Sequence, residues 1–175
     1  MNPLKEFIIP FVGLELGNHL FDFEVDDKFF EQFEYSQIHS ARLKVTFLLE
    51  KQERMMIFNT EITGEVDAVC DRCGGSFMLP VDGSEQLIVK FGEEYSEESD
   101  DVVVIPATDY KFDLAPFIYE YSHLMLPARI LHPDDENGNS TCDPDVLKRL
   151  SAMAPHDTVD PRWEALKNLQ TDKEK

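Results

Sequence analysis

Apolar and polar residues alternate with a period of two through much of the first half of the chain. Phe21, Phe23 and Val25 alternate with Asp22, Glu24 and Asp26, the signature of a strand with one buried face. Residues 6–16 carry a comparable strand-like alternation, and Gly17-Asn18 between the two segments is a turn signal. Leu43, Val45 and Phe47 against Arg42, Lys44 and Thr46 predict a strand over Ile38–Leu49, and Ile57, Ile62, Val66 and Val69 support a longer one over Met55–Val69. Cys70–Gly75 reads as a tight turn, and Ser76–Phe91 as the returning strand, broken at Pro80–Gly83. Together these predict an antiparallel meander with Cys70-x-x-Cys73 at a hairpin tip.

The period then changes. Asp26 or Asp27 is placed to cap a short helix through Phe33, with Phe29, Phe30 and Phe33 on one face as core. Val102–Ile105 is a short apolar strand. From Asp113 to Leu126, apolar residues Leu114, Phe117, Ile118, Tyr121 and Met125 recur at helical spacing, and Pro127 stops the helix. Pro133–Thr141 is a polar loop containing Asn137-Gly138. Asp143-Pro144 starts a helix through Met153, and Asp160-Pro161 another, with Trp163, Leu166 and Leu169 on one face. Strands first and helices later predict an α+β fold: a mainly antiparallel sheet or partly open barrel, a few short helices and a helical C-terminal tail. The expected division is an acidic β-rich domain over residues 1–142 and a short tail over 143–175.

Charge changes the picture more than length does. The 175 residues are 42% hydrophobic and 29% charged, enough to build one packed core. The net charge, however, is −19, from 16 Lys+Arg against 35 Asp+Glu. Residues 143–175 carry 6 basic and 7 acidic groups, so −18 falls on residues 1–142. Nucleic-acid binding draws its affinity from cations on phosphates, so this balance argues against an extensive RNA, DNA or anionic-membrane surface and favours a basic partner. Glu93–Asp101 holds six acids and no base. Such a run is expected as a solvated, mobile loop; its functional reading is a docking segment for a basic protein. No apolar run approaches a membrane span. The apolar stretch Phe7–Leu14 follows Glu6, is interrupted by Pro10 and has no small-residue cleavage site after it, so a cytoplasmic location is expected.

The sharpest chemical feature is Cys70-Asp71-Arg72-Cys73-Gly74-Gly75. Two thiolates two residues apart can hold one metal ion from a single turn, and the glycines let the backbone fold around it. A tetrahedral zinc needs two more ligands. Cys142 is the one remaining cysteine, and His132 lies ten residues before it, so Cys70, Cys73, His132 and Cys142 form the candidate set for a structural zinc. Relict, unligated turn cysteines are the alternative. A redox dithiol is disfavoured, because that chemistry wants a helix N-terminus and the residues after Gly75 read as strand. No phosphate loop, Gly-x-Ser-x-Gly or His-Glu-x-x-His is present, and a non-enzymatic protein is expected. His19, His39, His123 and His156 read as ordinary surface or half-buried residues.

Four segments then carry a family likeness. They are Gly64-Glu65-Val66 leading to Cys70-Asp71-Arg72-Cys73, the acidic run after the returning strand, Phe112–Pro127 with its Leu-Met-Leu-Pro end, and Asp160-Pro161-Arg162-Trp163 opening the last helix. In this order they resemble the YceD-like family of bacterial and plastid proteins, named for large ribosomal RNA subunit accumulation, over roughly Gly64 to Leu169. Many members carry cysteines beyond the Leu-Pro element; Cys142 answers to one, and His132 stands where some members have His and others Cys. The resemblance implies ribosome biogenesis without an established enzymatic activity. Combined with the charge, it predicts a factor supporting large-subunit rRNA accumulation by binding a basic ribosomal protein or assembly intermediate, with rRNA contacted indirectly. Three alternatives stand beside this. One is direct rRNA binding through a local patch of Arg42, Lys44, Lys51, Arg54 and Arg72. Another is a metal-dependent or thiol enzyme using Cys70 and Cys73. The last is a zinc-stabilised acidic interaction module with no ribosomal role.

Overall fold

The computed structural model describes residues 3–153. The expected terminal helix with Trp163 lies outside the described residues. Two compact units divide the chain, Met1–His132 and Pro133–Lys175.

The first unit is built on an open six-stranded sheet. After a two-residue strand β1 (Ile8–Ile9) come β2 (Gly17–Asp26), a one-turn helix α1 (Asp27–Phe30), β3 (Ala41–Lys51), β4 (Met55–Val69), β5 (Ser76–Gly92), β6 (Ser96–Ser99), β7 (Val102–Pro106), β8 (Phe112–Asp113) and helix α2 (Ala115–Leu124). The sheet order is β2-β3-β4-β5-β7-β6, and β1 pairs separately with β8. β2 to β5 form the expected antiparallel meander. β5 and β7 run parallel, with Ile88 opposite Val102. The sheet does not close into a barrel, so the architecture is α+β with an open, mostly antiparallel sheet.

The period of two that marks these strands is the period of burial. Leu43, Val45, Phe47 and Leu49 on β3 and Met56, Phe58 and Ile62 on β4 are all buried on one face, while Arg42, Lys44, Asn59 and Glu61 face out. Leu114, just before α2, and Ile118 and Tyr121 on it join the same core. Phe112 bridges helix and sheet, with its ring 5.6 Å from Phe58 and 5.5 Å from Phe117. Phe29 and Phe30 are core residues, as their spacing predicts, and Phe33 stacks on Tyr119 at 4.2 Å. Asp26 caps α1 by accepting from the Lys28 N–H.

Gly64 is demanded by its backbone. It sits at φ +149°, and a Cβ there would stand 2.1 Å from the Arg42 carbonyl oxygen on β3.

Three local expectations are corrected. The N-terminal alternation does not make a long strand: 3₁₀ turns over Pro3–Phe7 and Phe11–Gly13 flank β1. Phe7, Ile9 and Phe11 are nevertheless all buried, so the alternation recorded which side chains point inward. Pro10, with no N–H to give, stops the ladder. β5 is not broken at Pro80–Gly83; Pro80 pairs with Glu65 and Gly83 with Ile62. Pro80 is tolerated because this stretch of β5 has β4 on one side and open edge on the other. Gly83 lies beneath Met125, whose Cγ a Cβ would approach to 2.9 Å. Finally, the acidic run is not wholly loop. Ser96–Ser99 pairs with β7 as an edge strand with all four side chains exposed, so backbone pairing is gained while the charges stay in water.

In the second unit, Asp134 bridges Ser140, and the Asp135 carboxylate accepts from the backbone N–H of Asn137 and Asn139. Helix α3 (Pro144–Met153) begins where expected, with Asp143 accepting from the Asp145 N–H at 2.8 Å. No helix among the described residues is long and apolar enough to cross a membrane.

Candidate metal centre

The β4–β5 turn closes on itself. The Cys70 N–H donates to the Gly75 carbonyl at 2.9 Å, and the Gly74 N–H returns to the Cys70 carbonyl at 2.8 Å, with Gly74 in the left-handed region at φ +73°. This brings the Cys70 and Cys73 side chains to one side of the turn.

The segment after Pro127 is latched to this turn by Asp71. Its N–H donates to the Ile130 carbonyl at 2.8 Å, and its carboxylate accepts from the Ile130 N–H at 2.7 Å. That two-point latch delivers His132. The imidazole packs against Phe77 with centroids 4.5 Å apart, and its Nδ1 lies 3.4 Å from the Cys73 Sγ. Gly75 leaves the necessary room, since a Cβ there would sit 3.3 Å from the His132 Cε1 and 3.5 Å from the Cys73 Sγ.

Three of the four sequence-predicted ligands come together within the first unit; Cys142 belongs to the second. Cys70, Cys73 and His132 each offer one ligand atom, and these atoms lie within 4.8 Å of one another. Cys70 and Cys142 are buried, Cys73 and His132 half-buried. None of the three cysteines is in a disulfide. Burial alone raises the Cys70 thiol, but hydrogen bonds from the Cys73, His132 and Arg72 backbone N–H groups and from the His132 ring outweigh it and lower the thiol to about 5. The shift favours the thiolate, the form that binds metal. The group can hold a metal ion.

Other candidates are placed elsewhere. His19 on β2 bonds the carbonyl of Glu15 in the segment just before that strand, and His123 bonds the Tyr119 carbonyl within α2. The basic residues singled out for RNA are largely engaged by their neighbours. Arg42 meets Glu65 at 3.5 Å and Lys44 meets Asp22 at 3.7 Å. The Lys51 ammonium donates to the Phe11 and Leu14 carbonyls at 2.8 and 2.7 Å. Sequence reasoning missed the latch by Asp71 and the space reserved by Gly75. The only signal was their position inside the Cys-x-x-Cys-Gly-Gly turn.

Fold and site together define a class: an acidic α+β protein whose longest hairpin ends in a metal-competent thiol–imidazole centre. Comparison with known families makes this specific. The family model described as large ribosomal RNA subunit accumulation protein YceD matches residues 58–170, so the chain belongs to that family and its role lies in large-subunit rRNA accumulation. The match spans the meander from β4 onward, the metal-competent turn and α2. Comparison with curated proteins and with solved structures gives no significant match.

Proposed function

We propose that the protein is a non-enzymatic, cytoplasmic ribosome-biogenesis factor that supports large-subunit rRNA accumulation by holding a basic ribosomal protein or a basic face of an assembly intermediate. The observation that carries this reading is the conflict between family role and charge. A protein whose family serves rRNA carries −18 of its −19 on residues 1–142. Phosphate contact needs cations in excess; Lys51 is committed to two backbone carbonyls, and exposed Arg42 and Lys44 each sit beside an acidic neighbour. A basic protein bridging to rRNA removes the conflict.

In the same reading the metal is zinc, held structurally by Cys70, Cys73, His132 and Cys142. Thiolate and imidazole donors suit zinc rather than calcium or magnesium. Zinc–ligand bonds of about 2.0–2.3 Å put the edges of a tetrahedron at roughly 3.3–3.8 Å, and the 3.4 Å from Cys73 Sγ to His132 Nδ1 already falls in that range. Four protein ligands leave no open position, so the ion would tie the hairpin tip to the chain beyond α2 without activating water.

The test is affinity capture from lysate with and without nuclease. Large-subunit ribosomal proteins retained after nuclease support the proposal. Their loss with the RNA overturns it in favour of direct rRNA binding.

A further inference from the structure

A second site lies away from the metal centre. A groove of about 750 Å³ runs between α2 and the β6–β7 edge. Five carboxylates line it, those of Glu85, Glu97, Asp100, Asp101 and Glu120, with no lysine or arginine among the lining residues. The pairing of β6 with β7 is what makes the wall: it fixes Glu97 and the following turn opposite the helix.

Acidic residues alone are common on so acidic a chain, but the groove also holds an unsatisfied buried group. Tyr121 lines it, is 3% exposed, and its hydroxyl has no hydrogen-bond partner among the described residues. An unpaired buried hydroxyl is destabilising, so a ligand that supplies the missing hydrogen bond gains what the free protein lacks. His123, which also lines the groove, donates from Nδ1 to the Tyr119 carbonyl at 2.8 Å, and in the neutral ring its buried Nε2 is a second acceptor with no partner among the described residues. Both groups can accept a hydrogen bond from a donor that enters the groove.

We propose that this groove binds lysine or arginine side chains of a basic protein segment, with the carboxylates of Glu97 and Glu120 taking the charge and the Tyr121 hydroxyl and His123 Nε2 accepting hydrogen bonds. The assignment rests on the proposed function and gives it a location. The aromatic walls, Phe117, Tyr95 and Tyr119, suit the aliphatic stems of such side chains and the cation itself. Electrostatics support it. Partial desolvation, then the charges of Glu97 and Asp100, raise the Glu120 carboxyl above its ordinary value, a repulsion that an incoming cation relieves. A divalent ion is disfavoured, because among the described residues only the Cys/His group brings three or more such donors together; the groove carboxylates do not converge.

The test uses the whole protein and a fluorescein-labelled lysine/arginine peptide, read by anisotropy at physiological salt. Glu97→Gln with Glu120→Gln is expected to weaken binding about tenfold and Tyr121→Phe about threefold. The control Glu31→Gln with Glu34→Gln, which removes equal charge at exposed positions outside the groove, is expected to change it less than about twofold. Equal losses from groove and control pairs overturn the site, as does displacement of the peptide by Mg²⁺ beyond that by sodium chloride of equal ionic strength. Lysate capture separates the two claims. If the wild type retains ribosomal proteins and the groove variant retains them equally, the groove assignment fails and the function stands. If the wild type retains none while the peptide still binds through the groove, the function fails and the groove stands.

Discussion

Asp71→Ala tests the metal centre without touching a ligand. Asp71 holds Ile130 by two hydrogen bonds, one from its own backbone N–H at 2.8 Å and one to its carboxylate at 2.7 Å. Alanine keeps the first and loses the second. A hydrogen bond to a charged group is worth about 1.5–3 kcal/mol, and solvent exposure of this one places it at the low end. Because Ile130 lies two residues before His132, that loss falls on delivery of the imidazole. About 1.4 kcal/mol corresponds to roughly tenfold weaker metal binding, within the range for groups that orient ligands. Asn keeps a neutral acceptor, so Asp71→Asn should lose only about threefold. Cobalt(II) titration followed by thiolate charge-transfer and d–d absorption, with zinc competition, reads both affinities. An Asp71→Ala protein that binds cobalt within about twofold of wild type would refute the latch, since the loss would then be below the net worth of one hydrogen bond.

Further outcomes follow from the fold. Gly64→Ala should destabilise by about 3 kcal/mol or more, since the new Cβ meets a backbone oxygen 2.1 Å away at a φ unfavourable for any side chain; chemical denaturation measures it. Thr60→Val should stabilise by about 1 kcal/mol, raising the melting temperature about 3 °C, because the buried Thr60 hydroxyl has no partner among the described residues. Glu120 has its folded-state pKa raised above 4.5, so the folded state takes up a proton more readily than the unfolded one. Its contribution to stability therefore grows as pH falls through the window just above 4.5, and is absent at neutral pH. Melting curves across that window should show Glu120→Gln more stable than wild type at neutral pH, with the difference shrinking on acidification; a constant difference would contradict the assignment.

The sequence reports most directly what depends on local periodicity. Val45, Phe47 and Leu49 announce β3 because burial on one face of a sheet repeats every second residue. The same signal misleads at Phe7, Ile9 and Phe11, where inward-facing side chains sit on a 3₁₀–strand–3₁₀ path. As candidate ligands, Cys70 and Cys73 are legible from spacing, and His132 and Cys142 from the shortage of other ligands. The latch between Asp71 and Ile130 is not, because it joins residues 59 positions apart through a register no short pattern encodes. The acidic groove is hidden for the same reason. Glu85, Glu97 and Glu120 belong to three elements, and the parallel pairing of β5 with β7 that aligns two of them cannot be read from the charges alone. The edge strand β6 is obscured because its exposed, acidic side chains look like loop, while its order comes from backbone bonds to β7.

The central claim is that an acidic protein serves rRNA through a basic protein partner. The most direct measurement compares two equilibria with purified components across a salt series: the protein with basic large-subunit ribosomal proteins, and the protein with large-subunit rRNA fragments. The account predicts saturable binding to at least one ribosomal protein, weakened by salt, and no binding to rRNA alone. Tight rRNA binding with a steep salt slope, and no affinity for the ribosomal proteins, would contradict it.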